Sequence, residues 1–74
     1  MKAKELIGCG TIYDVFKEVL KPNSWEVENQ IVTANGGHYL FKKGKSVLEV
    51  WTQYNFIEKI DPLDEEIGDE EGQN

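Results

Sequence analysis

The hydrophobic pattern of this chain changes its period at Pro22-Asn23-Ser24, and that change sets the order of its secondary structure. Before the break, apolar residues recur at helical spacing; after it, apolar and polar residues alternate. Proline cannot continue a helix, and the Asn-Ser pair that follows it favours a turn. The sequence therefore predicts one helix followed by strands.

The predicted helix begins after Thr11, whose side-chain oxygen can cap the first turn. Asp14 stands three residues later, in the position of the capping-box acid. One apolar stripe then follows at spacings of three, four, seven and eight residues: Ile12, Val15, Phe16, Val19 and Leu20. This spacing gives the helix a single apolar face with which to pack on a sheet.

Alternation after the break predicts three strands, at residues 25–33, 38–42 and 47–57. Two glycine-containing segments, Asn35-Gly36-Gly37 and Lys43-Gly44-Lys45, are typical of the turns that connect antiparallel strands. The middle of the first strand, residues 28–30, is polar, which is compatible with a bulge or a turn at that point.

The segment 47–57 has a second interpretation. Ser46 to Glu49 fits a helix capping box, and Val47, Val50, Trp51, Tyr54 and Ile57 would line one face of a helix. The strand is favoured because β-branched and aromatic residues lose rotamer freedom in a helix and pack well on a pleated surface.

The negative charge is concentrated at the end of the chain. Residues 61–71 carry seven carboxylates and no basic side chain, whereas residues 1–60 contain eight lysines and seven acids. The predicted organisation is an α+β domain over residues 1–60, with one amphipathic helix packed on a three-stranded antiparallel meander, and an acidic, flexible tail over residues 61–74. Asp61-Pro62 also fits the start of a short helix that Leu63 and Ile67 would dock.

Length and cysteine content limit how such a domain is stabilised. About 60 residues bury only about 60% of their unfolded surface, and the single cysteine, Cys9, excludes an internal disulfide. Aromatic packing or a homodimer is left as the source of extra support. The first residues resemble no signal peptide and no apolar run reaches the ~20 residues of a membrane span, so the sequence predicts a cytoplasmic protein that binds no membrane.

The sequence contains no catalytic or cofactor motif. Cys9 precedes the helix, and His38 is the only histidine, but no third group accompanies them. We therefore predict a non-enzymatic protein with no cofactor and no metal. Arginine, the usual reader of phosphates and guanine edges, does not occur in the chain, so we expect no direct nucleic-acid binding.

Two groups of residues are candidates for binding a protein partner. Trp51 and Tyr54 are large aromatic residues of the third strand; alternation places Trp51 on the opposite face from Val50, Tyr54 and Phe56. The acidic group can attract a basic surface at long range. It comprises Asp61, Asp64, Glu65, Glu66, Asp69, Glu70 and Glu71.

Small size, a net charge of −6 and the lack of arginine give the chain a general resemblance to small acidic proteins that bacteriophages encode to disable host factors, including DNA mimics. The resemblance implies an inhibitor that engages a basic, nucleic-acid-binding host protein through its carboxylates. The chain differs from such mimics because residues 1–60 are balanced in charge. Only the acidic tail is then left to act as the mimic. The alternative is a structural or regulatory homodimer in which the tail maintains solubility.

Overall fold

The structure, a computed structural model, describes residues 1–68 and has an α+β architecture, with a helical segment on one face of a four-stranded antiparallel sheet. The strands follow chain order across the sheet, so each pairs with the one before it. Their bounds are Glu26–Val32 (β1), Gly36–Lys43 (β2), Ser46–Gln53 (β3) and Phe56–Asp61 (β4). The predicted α+β class and antiparallel meander are confirmed, but the count of three strands is wrong.

The helical segment is continuous but changes its winding. A 3₁₀ turn at Ala3–Leu6 precedes it, and it then runs as an α-helix (α1, Ile12–Val15), a π-helical turn (Phe16–Leu20) and a 3₁₀ turn (Lys21–Asn23). The predicted cap is present, since Thr11 Oγ1 accepts a hydrogen bond from the Asp14 N–H at 3.2 Å. Ser24, with a φ of 72°, ends the segment. No helix among residues 1–68 has the length and apolar content needed to cross a membrane.

The extra strand arises because the predicted third strand, 47–57, is two strands joined at Tyr54-Asn55. Both residues have positive φ values, 53° and 73°, which is the conformation of a tight two-residue hairpin turn. The Asn55 carbonyl also accepts a hydrogen bond from the Ile12 N–H at 2.7 Å, so the start of α1 holds this turn. The turn was missed because no glycine marks it and tyrosine rarely adopts positive φ.

The predicted first strand is present as β1, but it is not half-buried. All seven of its residues are exposed, because the buried side chains of the sheet come from β2, β3 and β4. The polar middle does contain a bulge, since the pairing with β2 shifts between Val27 and Asn29. Trp25, immediately before β1, is buried.

The β1–β2 turn lies at residues 34 and 35, slightly before the predicted position, and Gly36 and Gly37 belong to β2. The Thr33 N–H donates to the Gly36 carbonyl at 2.7 Å and closes this turn. Gly36 is needed for a different reason than the turn: a Cβ there would lie 2.6 Å from the Thr52 carbonyl oxygen of β3. The glycine therefore permits close approach of two strands.

The core lies between the helical segment and the inner face of the sheet. Helical Ile12, Val15 and Leu20 are buried, with Phe16 and Val19 partly buried beside them, so the predicted apolar stripe is confirmed. The other buried apolar side chains are Ala3, Leu6, Trp25, Tyr39, Phe41, Leu48, Val50, Ile57, Ile60 and Ile67.

The acidic segment, residues 61–74, is packed on the domain through Ile67 in the part that the structure describes. The Ile67 side chain is fully buried, and its carbonyl accepts a hydrogen bond from Trp25 Nε1 at 2.7 Å. The two ends of the chain also pair, with Ala3 N–H donating to the Glu65 carbonyl at 2.8 Å and Ile67 N–H to the Met1 carbonyl at 2.9 Å. The predicted short helix is absent from residues 62–68, which form this extended pairing instead. Residues 69–74 of the predicted flexible tail lie outside the described residues.

The Tyr39 side chain gives the core a dependence on alkaline pH. It is 4% exposed and stacks on Phe41 with ring centroids 6.1 Å apart. Burial raises the pKa of the Tyr39 phenol above its usual value, and the neighbouring Tyr13 phenol and its hydrogen bond raise it further. The folded state therefore holds this proton more tightly than the unfolded state does.

We expect the free energy of unfolding to fall as pH rises above about 10, because the unfolded Tyr39 phenol ionises there while the folded one stays neutral. The stabilisation is fully present below that pH and is lost through the alkaline range. Urea midpoints at pH 9 and pH 11 measure it. In Tyr39→Phe the loss between the two values should be smaller than in wild type, with Tyr13→Phe intermediate; equal losses in all three would contradict the assignment.

Candidate functional site

The face of the sheet opposite the helical segment, which we call the outer face, carries a straight row of side chains across all four strands. Ile31, His38, Trp51 and Lys59 occupy directly opposed positions on β1, β2, β3 and β4. We call these four residues the outer row. Their inner-face neighbours along each strand, such as Tyr39 and Val50, are buried in the core, so the outer row points away from it.

Trp51 lies at the centre of this row and is contacted from both sides. The His38 ring stacks on it with centroids 4.8 Å apart and planes 9° apart, and Lys59 Nζ lies 4.7 Å from the indole centroid. Such contacts between a cation and an indole are favourable. Trp51 is therefore half-buried by its own neighbours and held in one position, and the surface it offers is mainly the edge of the ring.

A second row lies beside the first. Asn29, Leu40, Glu49 and Asp61 are also opposed positions on the four strands. Glu49 Oε2 is 2.6 Å from His38 Nε2, which ties the two rows together. Glu49 and Asp61 form an acidic corner at the β3–β4 end of this row. Asp61 is the first residue of the acidic segment, so that segment leaves the sheet beside Trp51 and Lys59.

The acids that the sequence grouped together have different environments. Asp64 is exposed and Glu65 is half-exposed. Glu66 forms intramolecular ion pairs, with Oε2 2.7 Å from the Met1 amino group and Oε1 3.3 Å from Lys2 Nζ. Asp69, Glu70 and Glu71 lie outside the described residues. In the described part, the structure brings Asp61 to the outer face and uses Glu66 to hold the N-terminus.

The two aromatic candidates are not brought together. Trp51 points to the outer face, opposite to Val50, as alternation predicts. Tyr54 lies in the β3–β4 turn and is 65% exposed. Because the chain reverses at this turn, Phe56 is opposed to Gln53 and shares the outer face with Trp51, so its predicted placement was wrong.

His38, Glu49, Lys59 and Ile31 are site residues that were not among the candidates. Alternation along β3 assigns Glu49 and Trp51 to one face, but along β1 it assigns Ile31 to the face of Val27. The bulge between Val27 and Asn29 moves Ile31 to the outer face, and the alignment across strands depends on the turns and on a second bulge. The signal that could have found them is the occurrence of polar or charged residues between buried ones in β2, β3 and β4.

Cysteine and histidine chemistry has no support from the geometry of residues 1–68. Cys9 is exposed and its Sγ–H donates to the Glu5 carbonyl at 2.8 Å, whereas His38 lies in the outer row. Within the same residues, no group of three or more His, Cys, Asp and Glu side chains is placed to hold a metal ion.

A shallow apolar groove opens on the other side of the sheet, between the helical segment and β1. Its walls are formed by the side chains of Ile12, Tyr13, Phe16, Val27, Gln30, Tyr39 and Phe41. The helical segment packs on β2 there, with the Phe16 and Phe41 ring centroids 5.6 Å apart, and leaves Val27 of β1 at 44% exposure.

Comparison of the chain with protein-family models, with curated protein sequences and with solved structures finds no match in any of the three.

Proposed function

We propose that this protein is a non-enzymatic binding module that engages a basic protein through the outer face of its sheet and the adjoining carboxylates. The observation that carries the proposal is the position of Asp61, which lies across from Glu49 and next to Lys59 and Trp51. Asp61 thereby sets one carboxylate of the acidic segment beside the outer row, and the residues that follow it pair with residues 1–4.

The charges supply attraction at a distance. The chain has a net charge of −6, and in the described part of the acidic segment Asp61 and Asp64 are exposed and Glu65 is half-exposed. Carboxylates clustered in this way steer an oppositely charged partner toward the site and raise its association rate. The effect is screened by salt over a Debye length of about 8 to 10 Å.

The outer row supplies contact at short range. Trp51 and His38 are preorganised by their stack, and Ile31 and Leu40 add apolar surface beside them. Aromatic side chains held in one rotamer lose little entropy on binding, which is why tryptophan so often anchors protein interfaces. Lys59 covers one face of the indole and disfavours a partner that places a cation there.

An inhibitor of a nucleic-acid-binding protein is the specific form that we propose. Carboxylates spaced along a surface can occupy the site in which a basic protein holds phosphates. Lys42 and Lys59 make the middle of the sheet an unsuitable mimic. The mimicry is therefore assigned to Asp61, Asp64, Glu65 and the acids that follow the ion-paired Glu66 in sequence.

The test compares two variants with the same change in charge. In the first, Asp61→Asn, Asp64→Asn and Glu65→Gln neutralise the site and spare Glu66. In the second, Asp14→Asn, Glu18→Gln and Glu28→Gln neutralise three exposed acids elsewhere. Each is immobilised, challenged with bacterial lysate, washed along a salt gradient, and the eluted proteins are identified and retested pure with double-stranded DNA as competitor.

We expect wild type and the second variant to retain a basic nucleic-acid-binding protein that DNA displaces, and we expect its affinity for the first variant to be weaker by about tenfold or more. Equal binding by all three would exclude the acids, and binding that DNA does not displace would exclude the mimic. Trp51→Phe, which preserves a ring in the outer row, should weaken binding less than Trp51→Ala.

A further inference from the structure

The outer edge of β1 is the unpaired edge of the sheet that carries the least protection. β1 pairs only with β2 within the described residues, and Val27, Ile31 and Val32 are 44%, 61% and 54% exposed. Natural edge strands are commonly guarded by lysine, proline or inward charges. β4, at the opposite edge, carries Glu58, Lys59 and Asp61, whereas residues 29–35 contain no charged residue and no proline.

Backbone geometry shows which groups this edge offers. Thr33 N–H donates inward to the Gly36 carbonyl, and backbone groups alternate in direction along a strand, so those of Gln30 and Val32 point outward. The Gln30 N–H is satisfied by the Asn29 side chain, with a distance of 2.8 Å to Oδ1. The Asn29 amide thus occupies an outward donor that another strand could otherwise use.

We propose that a second copy of this chain pairs antiparallel with β1, with the two-fold axis at Ile31. In that register Gln30 of each copy faces Val32 of the other, so both outward-pointing residues form hydrogen-bonded pairs. Ile31 faces Ile31 at the closely spaced, non-hydrogen-bonded position between them. The carbonyl of Val32 then replaces Asn29 Oδ1 as the acceptor for the Gln30 N–H.

The distribution of charge favours this antiparallel register of two copies over a parallel or shifted one. Glu26 and Glu28 lie at one end of β1, and the antiparallel register places that end beside the β1–β2 turn of the other copy, at residues 33–35, where the chain has no acid. No two acids are opposed, whereas parallel pairing would set them side by side. The outer rows of both copies then join at Ile31 into one row across eight strands.

The pairing is short, so we expect a dissociation constant of roughly 10 µM to 1 mM rather than nanomolar. Sedimentation equilibrium of the full chain over that concentration range measures it. Ile31→Lys should abolish the dimer, and Ile31→Thr, which keeps a β-branched residue, should weaken it by about tenfold. Leu63→Lys is the matched control, because Leu63 is an apolar residue at 49% exposure away from β1, and its dimer should equal that of wild type.

Asn29→Ala tests the register itself. It frees the Gln30 N–H in both copies, so two hydrogen bonds of about 1 kcal/mol each are affected, and we expect dimerisation to tighten by about thirtyfold. Amide exchange of Val32 should slow with protein concentration in wild type and not in Ile31→Lys. A wild-type chain that is monomeric at about 2 mM, a dimer that persists in Ile31→Lys, or an affinity unchanged by Asn29→Ala would each overturn the proposal.

The effect of added salt distinguishes this dimer from the proposed binding of a basic protein. Two copies that each carry a net charge of −6 repel one another, so added salt should strengthen the dimer. Binding of a basic protein to the acidic residues should weaken under the same change. Either result can fail while the other holds.

Discussion

A chain that ends at Asp61 is expected to be largely unfolded, whereas a chain that ends at Gly68 is expected to keep its fold. The two truncations differ by the segment 62–68, which contains two of the acids, Asp64 and Glu65, that we propose bind a partner. The difference between them arises from Ile67 and from the backbone pairing with residues 1–4 rather than from charge.

The magnitude follows from burial. Ile67 is fully buried, and the loss of a buried isoleucine side chain typically costs about 2 to 5 kcal/mol. Removal of the segment also exposes Trp25 and leaves its indole N–H without the Ile67 carbonyl. A domain of this size has a total stability of roughly 4 to 11 kcal/mol, so the deletion consumes most of the margin.

The loss of fold and of stability is measured by circular dichroism and urea unfolding of the two truncated chains and of wild type. The chain that ends at Gly68 serves as the control, since it loses Asp69, Glu70 and Glu71 without losing any described contact. Similar urea midpoints for the two truncated chains would show that the segment 62–68 contributes little. If the prediction holds, binding by the acidic segment has to be tested by substitution or by truncation after Gly68.

The sequence predicted those parts of the fold that depend on neighbouring residues. The Thr11 cap, the apolar stripe of the helical segment and the change to alternation after Pro22 are local, and each is present. The Tyr54-Asn55 turn is equally local but lacks glycine. It is stabilised by the Ile12 N–H, a contact that the sequence does not show.

Long-range contacts account for the remaining differences. Ile67 follows seven residues that include four acids and a proline, which is the composition of an exposed tail, yet it packs on Trp25, 42 positions earlier. β1 has the alternation of a half-buried strand, but burial depends on how far the helical segment extends over the sheet. Neither fact can be read from periodicity.

Only part of the candidate site was predicted, because the rest of it also depends on long-range contacts. Alternation assigned Trp51 to the face opposite Val50, and that placement is confirmed. The stack with His38 and Lys59 needs the register of three strands, which is set by the turns and by the shift between Trp51 and Thr52. The role of Glu66 in holding the Met1 amino group requires the two ends of the chain to meet.

Trp25→Ala is expected to be the most destabilising single substitution, with a loss of about 3 to 5 kcal/mol in the free energy of unfolding. Trp25 is 1% exposed and lies where the helical segment passes into β1. Its backbone N–H donates to the Leu20 carbonyl at 2.9 Å while its side chain bonds Ile67, so one residue connects the helical segment, the sheet and the C-terminal segment.

Trp25→Phe separates the packing of this side chain from its hydrogen bond, and Trp51→Ala controls for the position of the tryptophan. Trp25→Phe keeps an aromatic ring but removes the indole N–H. We expect a loss of about 1 to 3 kcal/mol, because among residues 1–68 the Ile67 carbonyl then retains only the Lys43 Nζ contact at 3.3 Å. Trp51→Ala is the matched control, because the same side chain is removed from a half-buried position. Urea unfolding followed by circular dichroism compares the three variants. A larger loss for Trp51→Ala than for Trp25→Ala would contradict the proposed role of Trp25 as the residue that connects the helical segment, the sheet and the C-terminal segment.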